Sequence, residues 1–133
     1  MTPRFVHLHL HSEYSLTDST IRIPELVGRC AALGMPAVAV TDTSNLFALV
    51  KFYKAAEPAG LKPIAGADLW LASDGGPPSR LTLLCQDRTG YLALSRLISR
   101  AFLEGHAGDY VAIEPDWLYR DCEGLVALAG RES

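Results

Sequence analysis

The chain of 133 residues is short of several things, and each shortage removes a class of function. It has three cysteines, Cys30, Cys85 and Cys122, far apart in sequence and odd in number, with no CxxC pair. A disulfide framework and a cysteine zinc site are therefore not expected, which favours a reducing cytoplasm. Cys30 and Cys85 sit in apolar runs and read as small buried hydrophobes. No apolar run approaches the roughly 18 residues of a membrane span, and the N-terminus lacks the basic-then-apolar order of a signal peptide. Positive charge is scarce: 12 Lys and Arg against 15 Asp and Glu give a net charge of −3, without the basic footprint of a DNA-binding domain. The phosphate-cradling patterns GxxxxGK[ST] and GxGxxG are missing. Thr82, Ser95 and Ser99 have no base at useful spacing, so a nucleophile triad has no support.

What is present begins at once. Phe5-Val6-His7-Leu8-His9-Leu10-His11-Ser12 alternates imidazoles with apolar side chains. A strand sends residues i, i+2 and i+4 to one face, so the three histidines would share a face opposite Val6, Leu8 and Leu10. Same-face neighbours sit about 6.5 Å apart at Cα, close enough for two imidazoles to meet on one ion. His9 and His11, nearest the C-terminal end of this strand, are the expected pair. The plain alternative is a solvated face of an edge strand.

The rest of the chain alternates strand-like and helical patterns. Strands are expected at 4–10, 36–40, 62–67, 69–72, 81–85 and 124–129; helices at 24–33, 46–56 and 91–103, with a short helical turn at 117–119. Residues 73–79 (Ser-Asp-Gly-Gly-Pro-Pro-Ser) form the clearest loop, a hairpin tip. This alternation points to an α/β fold with a parallel sheet in a chain long enough for one domain and 49% hydrophobic, enough for a core. The last strand has no helix after it and reads as a cut. Functional loops of such folds lie at the C-terminal ends of strands. His9 to Asp18, Asp42 to Asn45, and Asp68 fall at such ends. Asp18, Asp42 and Asp68 could add oxygen ligands to the imidazoles; a mixed nitrogen–oxygen set suits zinc, manganese or iron and could activate water for phosphoester hydrolysis. Each aspartate alone has an ordinary reading as a turn or helix-entry residue. His106 between glycines, the Arg96/Arg100 stripe, and Trp70 and Trp117 read as surface or packing residues.

The opening motif, from Phe5 through His9, His11 and Ser15 to Asp18, resembles that of the PHP (polymerase and histidinol phosphatase) family. Later pieces narrow the resemblance: Ala32-Leu33-Gly34-Met35-Pro36-Ala37 with Thr41-Asp42, Lys51-Phe52-Tyr53, Lys62-Pro63-Ile64 and Gly66-Ala67-Asp68. Together they look like the N-terminal segment of the alpha-subunit family of bacterial DNA polymerase III.

The resemblance implies part of a distorted βα barrel, with residues 1–133 as the N-terminal portion of a PHP domain holding about half the barrel. It implies a longer parent that performs template-directed DNA synthesis with magnesium at aspartates outside this chain. It also implies replicase partners, among them the proofreading exonuclease (epsilon) subunit. The metal set carried over is His9, His11, Asp18, Asp42 and Asp68. Departures are visible: Thr43 and Ser44 replace His and Gly of a Thr-Asp-His-Gly-Asn motif, Asp68 stands where glutamate is usual, and Arg80 stands where histidine is frequent. Threonine and arginine cannot stand in for imidazole, so a partly eroded site is expected. The competing reading is a stand-alone PHP phosphoesterase.

Overall fold

The computed structural model describes residues 5–15, 21–74, 76–107 and 110–129, and the side chains of 106 and 107 are not among those described. Two of the expectations, Asp18 as a ligand and His106 as a surface residue, therefore lie outside the described residues.

The elements follow the sequence pattern closely in the middle of the chain. A helix α1 (Ile23–Ala32) starts on Pro24 in its first turn, where the missing N–H costs nothing. It buries Ile23, Leu26, Val27 and Cys30. Strand β1 (Ala37–Thr43) is buried along almost its whole length, as expected of a strand covered on both faces. Helix α2 (Leu49–Ala56) begins three residues later than its periodicity suggests. The delay is local: Asn45 Oδ1 accepts from the Phe47 N–H at 3.1 Å, an alternative to helical pairing. Strands β2 (Lys62–Leu71) and β3 (Ser79–Cys85) form a hairpin. Helix α3 (Arg88–Glu104) is capped by Asp87, whose side chain accepts from the Gly90 N–H at 2.9 Å. Then come β4 (His106–Ala107), β5 (Tyr110–Ile113), α4 (Pro115–Arg120) and β6 (Leu125–Leu128).

β2 organises the sheet. It pairs in parallel with β1 over residues 62–68, then in parallel with β5 at Trp70 and Leu71. Its other edge pairs with β3, antiparallel, and β3 with β6, also antiparallel. The sheet is thus mixed and not purely parallel, because β3 follows β2 directly in the order of elements and pairs back on it antiparallel. Three further differences from the sequence pattern have physical causes. Residues 62–67 and 69–72 belong to one strand with Asp68 inside it, since flanking hydroxyls and imidazoles satisfy the carboxylate. β5 is short and follows the Gly105–Gly108 break, leaving little pattern to read. The strand expected at 124–129 from an apolar run that reads as buried is β6, which is only half-buried, being paired through β3 alone among the described residues.

The first segment departs from a regular strand as well. It runs beside β1, with the His7 carbonyl accepting from Ala39 N–H at 2.8 Å and the Leu10 carbonyl from Thr41 N–H at 2.7 Å. Three residues on one side face two on the other, a bulge-like mismatch that interrupts the ladder. The alternation of faces nevertheless holds from His9 to Ser12, as described below.

The core lies on the helical side of the sheet. α1 and α2 pack Val27, Cys30 and Phe52 against Val38 and Val40, while α3 packs Leu94 and Leu97 against Ala67, Leu69 and Leu83. Residues of opposite parity on the same strands, Thr41 and Thr43 in β1, Gly66 and Asp68 in β2, and Thr82 in β3, face the other side. The three free cysteines lie apart: Cys30 buried, Cys85 half-buried and Cys122 exposed.

Gly66 is where three strands crowd together. A Cβ there would lie 2.6 Å from the Leu83 carbonyl oxygen and 2.8 Å from Leu84 Cδ2. By contrast, a Cβ on Gly28, exposed within α1, would meet nothing within 4 Å. Gly66→Ala is expected to cost roughly 1–3 kcal/mol through overpacking, whereas Gly28→Ala should stabilise by about 0.5–1 kcal/mol through helix propensity. Urea midpoints of the two variants test this; equal midpoints would contradict the strand crowding.

Candidate metal centre

Asp68 occupies the middle of β2 with Thr43 of β1 opposite on one side and Thr82 of β3 opposite on the other. Its side chain is 2% exposed. On the face away from the helices it meets the N-terminal segment. His9 Nε2 and His11 Nε2 each lie 2.6 Å from Asp68 Oδ2. Thr82 Oγ1 donates to Oδ1. The two imidazole centroids are 5.3 Å apart with planes at 77°. His11 is mostly enclosed, 14% exposed, while His9 is 58% exposed, so the cluster opens to solvent on the His9 side.

Burial by itself pushes the Asp68 carboxyl up, but hydrogen bonds from His11, Thr82 and His9 outweigh it and hold the group below its ordinary range. The carboxylate is therefore ionised at neutral pH, the form a metal requires.

The donor set passes a simple test of fit. Among the described residues, His9, His11 and Asp68 form a group whose ligand atoms all lie within 4.8 Å of one another. Donors bound tetrahedrally at about 2.0–2.1 Å stand about 3.3 Å apart, so the observed 2.6 Å contacts need to open by less than an ångström. Two imidazoles and one carboxylate also form the mixed nitrogen–oxygen set that suits zinc, manganese or iron. A divalent ion held there would supply Lewis-acid polarisation of an oxygen bound to it.

The sequence-derived set of five divides. His9, His11 and Asp68 are brought together. Asp18 lies outside the described residues. Asp42 is not brought to the cluster. It pairs in register with Ala67, so it shares the face that carries Val40 and looks toward the helices, opposite to Asp68. Its oxygens are occupied by Ser12 and Ser15. His7 also stays out, its ring edge-on to Phe5 at 4.7 Å.

Neighbouring residues at the centre are donors or cations. Arg80 Nη2 lies 3.4 Å from Thr43 Oγ1, and its guanidinium stacks 4.9 Å from the Trp70 ring. Neither Thr43 nor Arg80 offers a basic nitrogen to an ion. The sequence reading passed over Thr82 as a partner of Asp68. The available signal was the hairpin tip at 73–79, which sets Thr82 or Leu84 across from residue 68 on the same face.

Elemental analysis after incubation with zinc, manganese or iron is expected to find bound metal in the wild-type chain. His9→Ala/His11→Ala should lose it, with at least a tenfold drop in retained metal. Equal metal in both would place any ion elsewhere.

With this geometry in hand, comparison with known proteins is direct. The family model described as "PHP domain" matches residues 7–132. A DNA polymerase III subunit alpha from Xylella fastidiosa (strain Temecula1) is 54% identical over 147 aligned positions, covering 99% of this chain and 12% of the relative. The same-named subunit from Pseudomonas aeruginosa is 54% identical over 131 positions, covering 97% of this chain and 11% of the relative. The chain thus spans about an eighth of the length of these curated relatives. A candidate metal-dependent phosphoesterase from Bifidobacterium adolescentis superposes with a TM-score of 0.58 at 18% identity, over 75% of this chain and 34% of its own. An amidohydrolase from Chromobacterium violaceum, solved with sulfate and without metal, gives 0.57 at 22% identity, over 72% and 32%. These two likenesses establish the fold as part of a βα barrel. The near-complete match to the family model, together with the relatives' identity, shows that this chain belongs to the PHP domain family.

Proposed function

We propose that the chain is the N-terminal PHP portion of a DNA polymerase III alpha subunit, the template-directed polymerase of chromosomal replication. The observation that carries this reading is 54% identity across 99% of the chain to a protein of that name. In this reading nucleotidyl transfer, with its magnesium, belongs to the longer protein. The chain carries a net charge of −3, which fits a segment that does not grip DNA directly.

The PHP portion then serves as scaffold and docking surface for the proofreading exonuclease subunit, and His9, His11 and Asp68 hold one divalent ion, with Asp18 as a further oxygen donor. The scaffold role draws support from a wide groove of about 1280 Å³ on the sheet, lined in part by Val6, Leu8, Val50, Tyr53, Ile64 and Val126. Lys54, Lys62, Asp87 and Arg88 share its lining, so the groove offers both apolar and charged contacts to further protein. The reading places the protein in the cytoplasm; among the described residues no helix is long and apolar enough to cross a membrane.

Two measurements test the reading. The longer protein should extend a primed template, and the 133-residue chain should not; extension by the chain alone would overturn the assignment of chemistry. The purified exonuclease subunit should co-elute with the chain, or with the longer protein, in size-exclusion chromatography. Separate elution from both would remove the docking role.

A further inference from the structure

Asp42 is one of the most deeply buried polar groups in the chain, 2% exposed, yet it takes no part in the histidine–carboxylate cluster. What it does is written in its hydrogen bonds. Oδ1 accepts from the Ser12 N–H at 2.6 Å and from the Ser15 hydroxyl at 2.7 Å. Oδ2 accepts from the Ser12 hydroxyl at 2.7 Å. The two serines pass the order on: Ser12 Oγ accepts from the Tyr14 N–H, and Ser15 Oγ from the Thr43 N–H, both at 3.2 Å. The turn Glu13–Ser15 is thereby fastened to the end of β1.

The Ser12 amide matters most. That N–H belongs to the peptide unit joining His11 to Ser12, so a bond to it fixes the plane on the C-terminal side of His11. On the N-terminal side Leu10 is held by the preceding residue of β1: its N–H donates to Thr41 Oγ1 at 2.9 Å, and its carbonyl accepts from the Thr41 N–H at 2.7 Å. Two consecutive residues of β1, Thr41 and Asp42, therefore grip the residues on either side of His11. Leu10 packs toward the core and Ser12 binds Asp42 on the helical side. Strand alternation then sends His9 and His11 to the opposite face, where Asp68 lies.

We infer that Asp42 is a positioning residue for the centre: it pins the His11–Ser12 peptide, and through it aims His9 and His11 at Asp68, without touching an ion. The inference deepens the metal reading above and rests on it for its affinity arm. Outer partners of this kind typically change metal affinity 10–100-fold when removed. Asparagine keeps the oxygen that accepts from the Ser12 N–H, whereas alanine removes it.

The test uses the whole chain with cobalt(II) as probe. Asp42→Ala is expected to weaken cobalt binding 10–100-fold and alter its visible absorption; Asp42→Asn should recover to within about threefold of wild type, since the amide acceptor survives. A second measurement is free of metal: in the wild-type chain the Ser12 amide should be protected from hydrogen exchange and show scalar coupling across the hydrogen bond to Asp42 Cγ. This holds whether or not Asp42→Ala folds. Cobalt affinity and spectrum unchanged in a folded Asp42→Ala, or an unprotected Ser12 amide in the wild type, would overturn the inference. If wild type and His9→Ala/His11→Ala take up cobalt alike, the metal reading fails, and the clamp is judged on the metal-free His11 ring-nitrogen shifts. Movement of those shifts in Asp42→Ala supports positioning and no movement contradicts it; if the alanine variant does not fold, the protection and coupling of the wild-type Ser12 amide decide.

Discussion

A carboxylate in the middle of a sheet is an expensive thing to bury, costing several kcal/mol unless it is well partnered. Asp68 is such a group, and the arrangement around it follows from meeting that cost. Thr82 reaches it from the hairpin partner, and His9 and His11 reach it from a segment nearly 60 residues earlier in the chain. Hydrogen bonds to a charged group contribute about 1.5–3 kcal/mol each. The N-terminal segment makes few ladder bonds to β1, so its hold on the sheet rests heavily on this carboxylate and on the Asp42 clamp. The same contacts assemble two imidazoles and one carboxylate into a ligand set. Asp68 thus serves both the packing of the N-terminal segment and the candidate donor set.

The two faces of the sheet divide the work. On the helical side lie the apolar core and Asp42, which shapes the backbone; on the other side lie Asp68, Thr43, Thr82, His9 and His11. Arg80, stacked on Trp70 and close to Thr43, brings a fixed positive charge to this second face. A guanidinium stays protonated and donates only, so it lends the centre electrostatics and not ligation.

Much of this was legible beforehand, for reasons that lie in particular residues. Pro24 marked the start of α1, the buried run Ala37-Val38-Ala39-Val40 marked β1, and residues 73–79 marked the hairpin. The His9/His11 pairing followed from period two and survived even a segment too irregular to count as a strand. What stayed hidden was mostly register. Nothing in the sequence alone says that Asp42 pairs with Ala67 and so faces away from Asp68, a one-residue matter that reverses its role. The mixed sheet was implicit in the short β2–β3 turn, but helix–strand alternation on either side suggested parallel pairing instead. β5 was obscured by its length of four residues.

The most direct test of the central claim is anomalous diffraction from crystals of the chain soaked with zinc or manganese. The account predicts one dominant anomalous peak within coordination distance of His9 Nε2, His11 Nε2 and an Asp68 oxygen, with Asp42 still bound to Ser12 and Ser15. A peak at Asp42, or none near Asp68 with the histidines turned away, would contradict it.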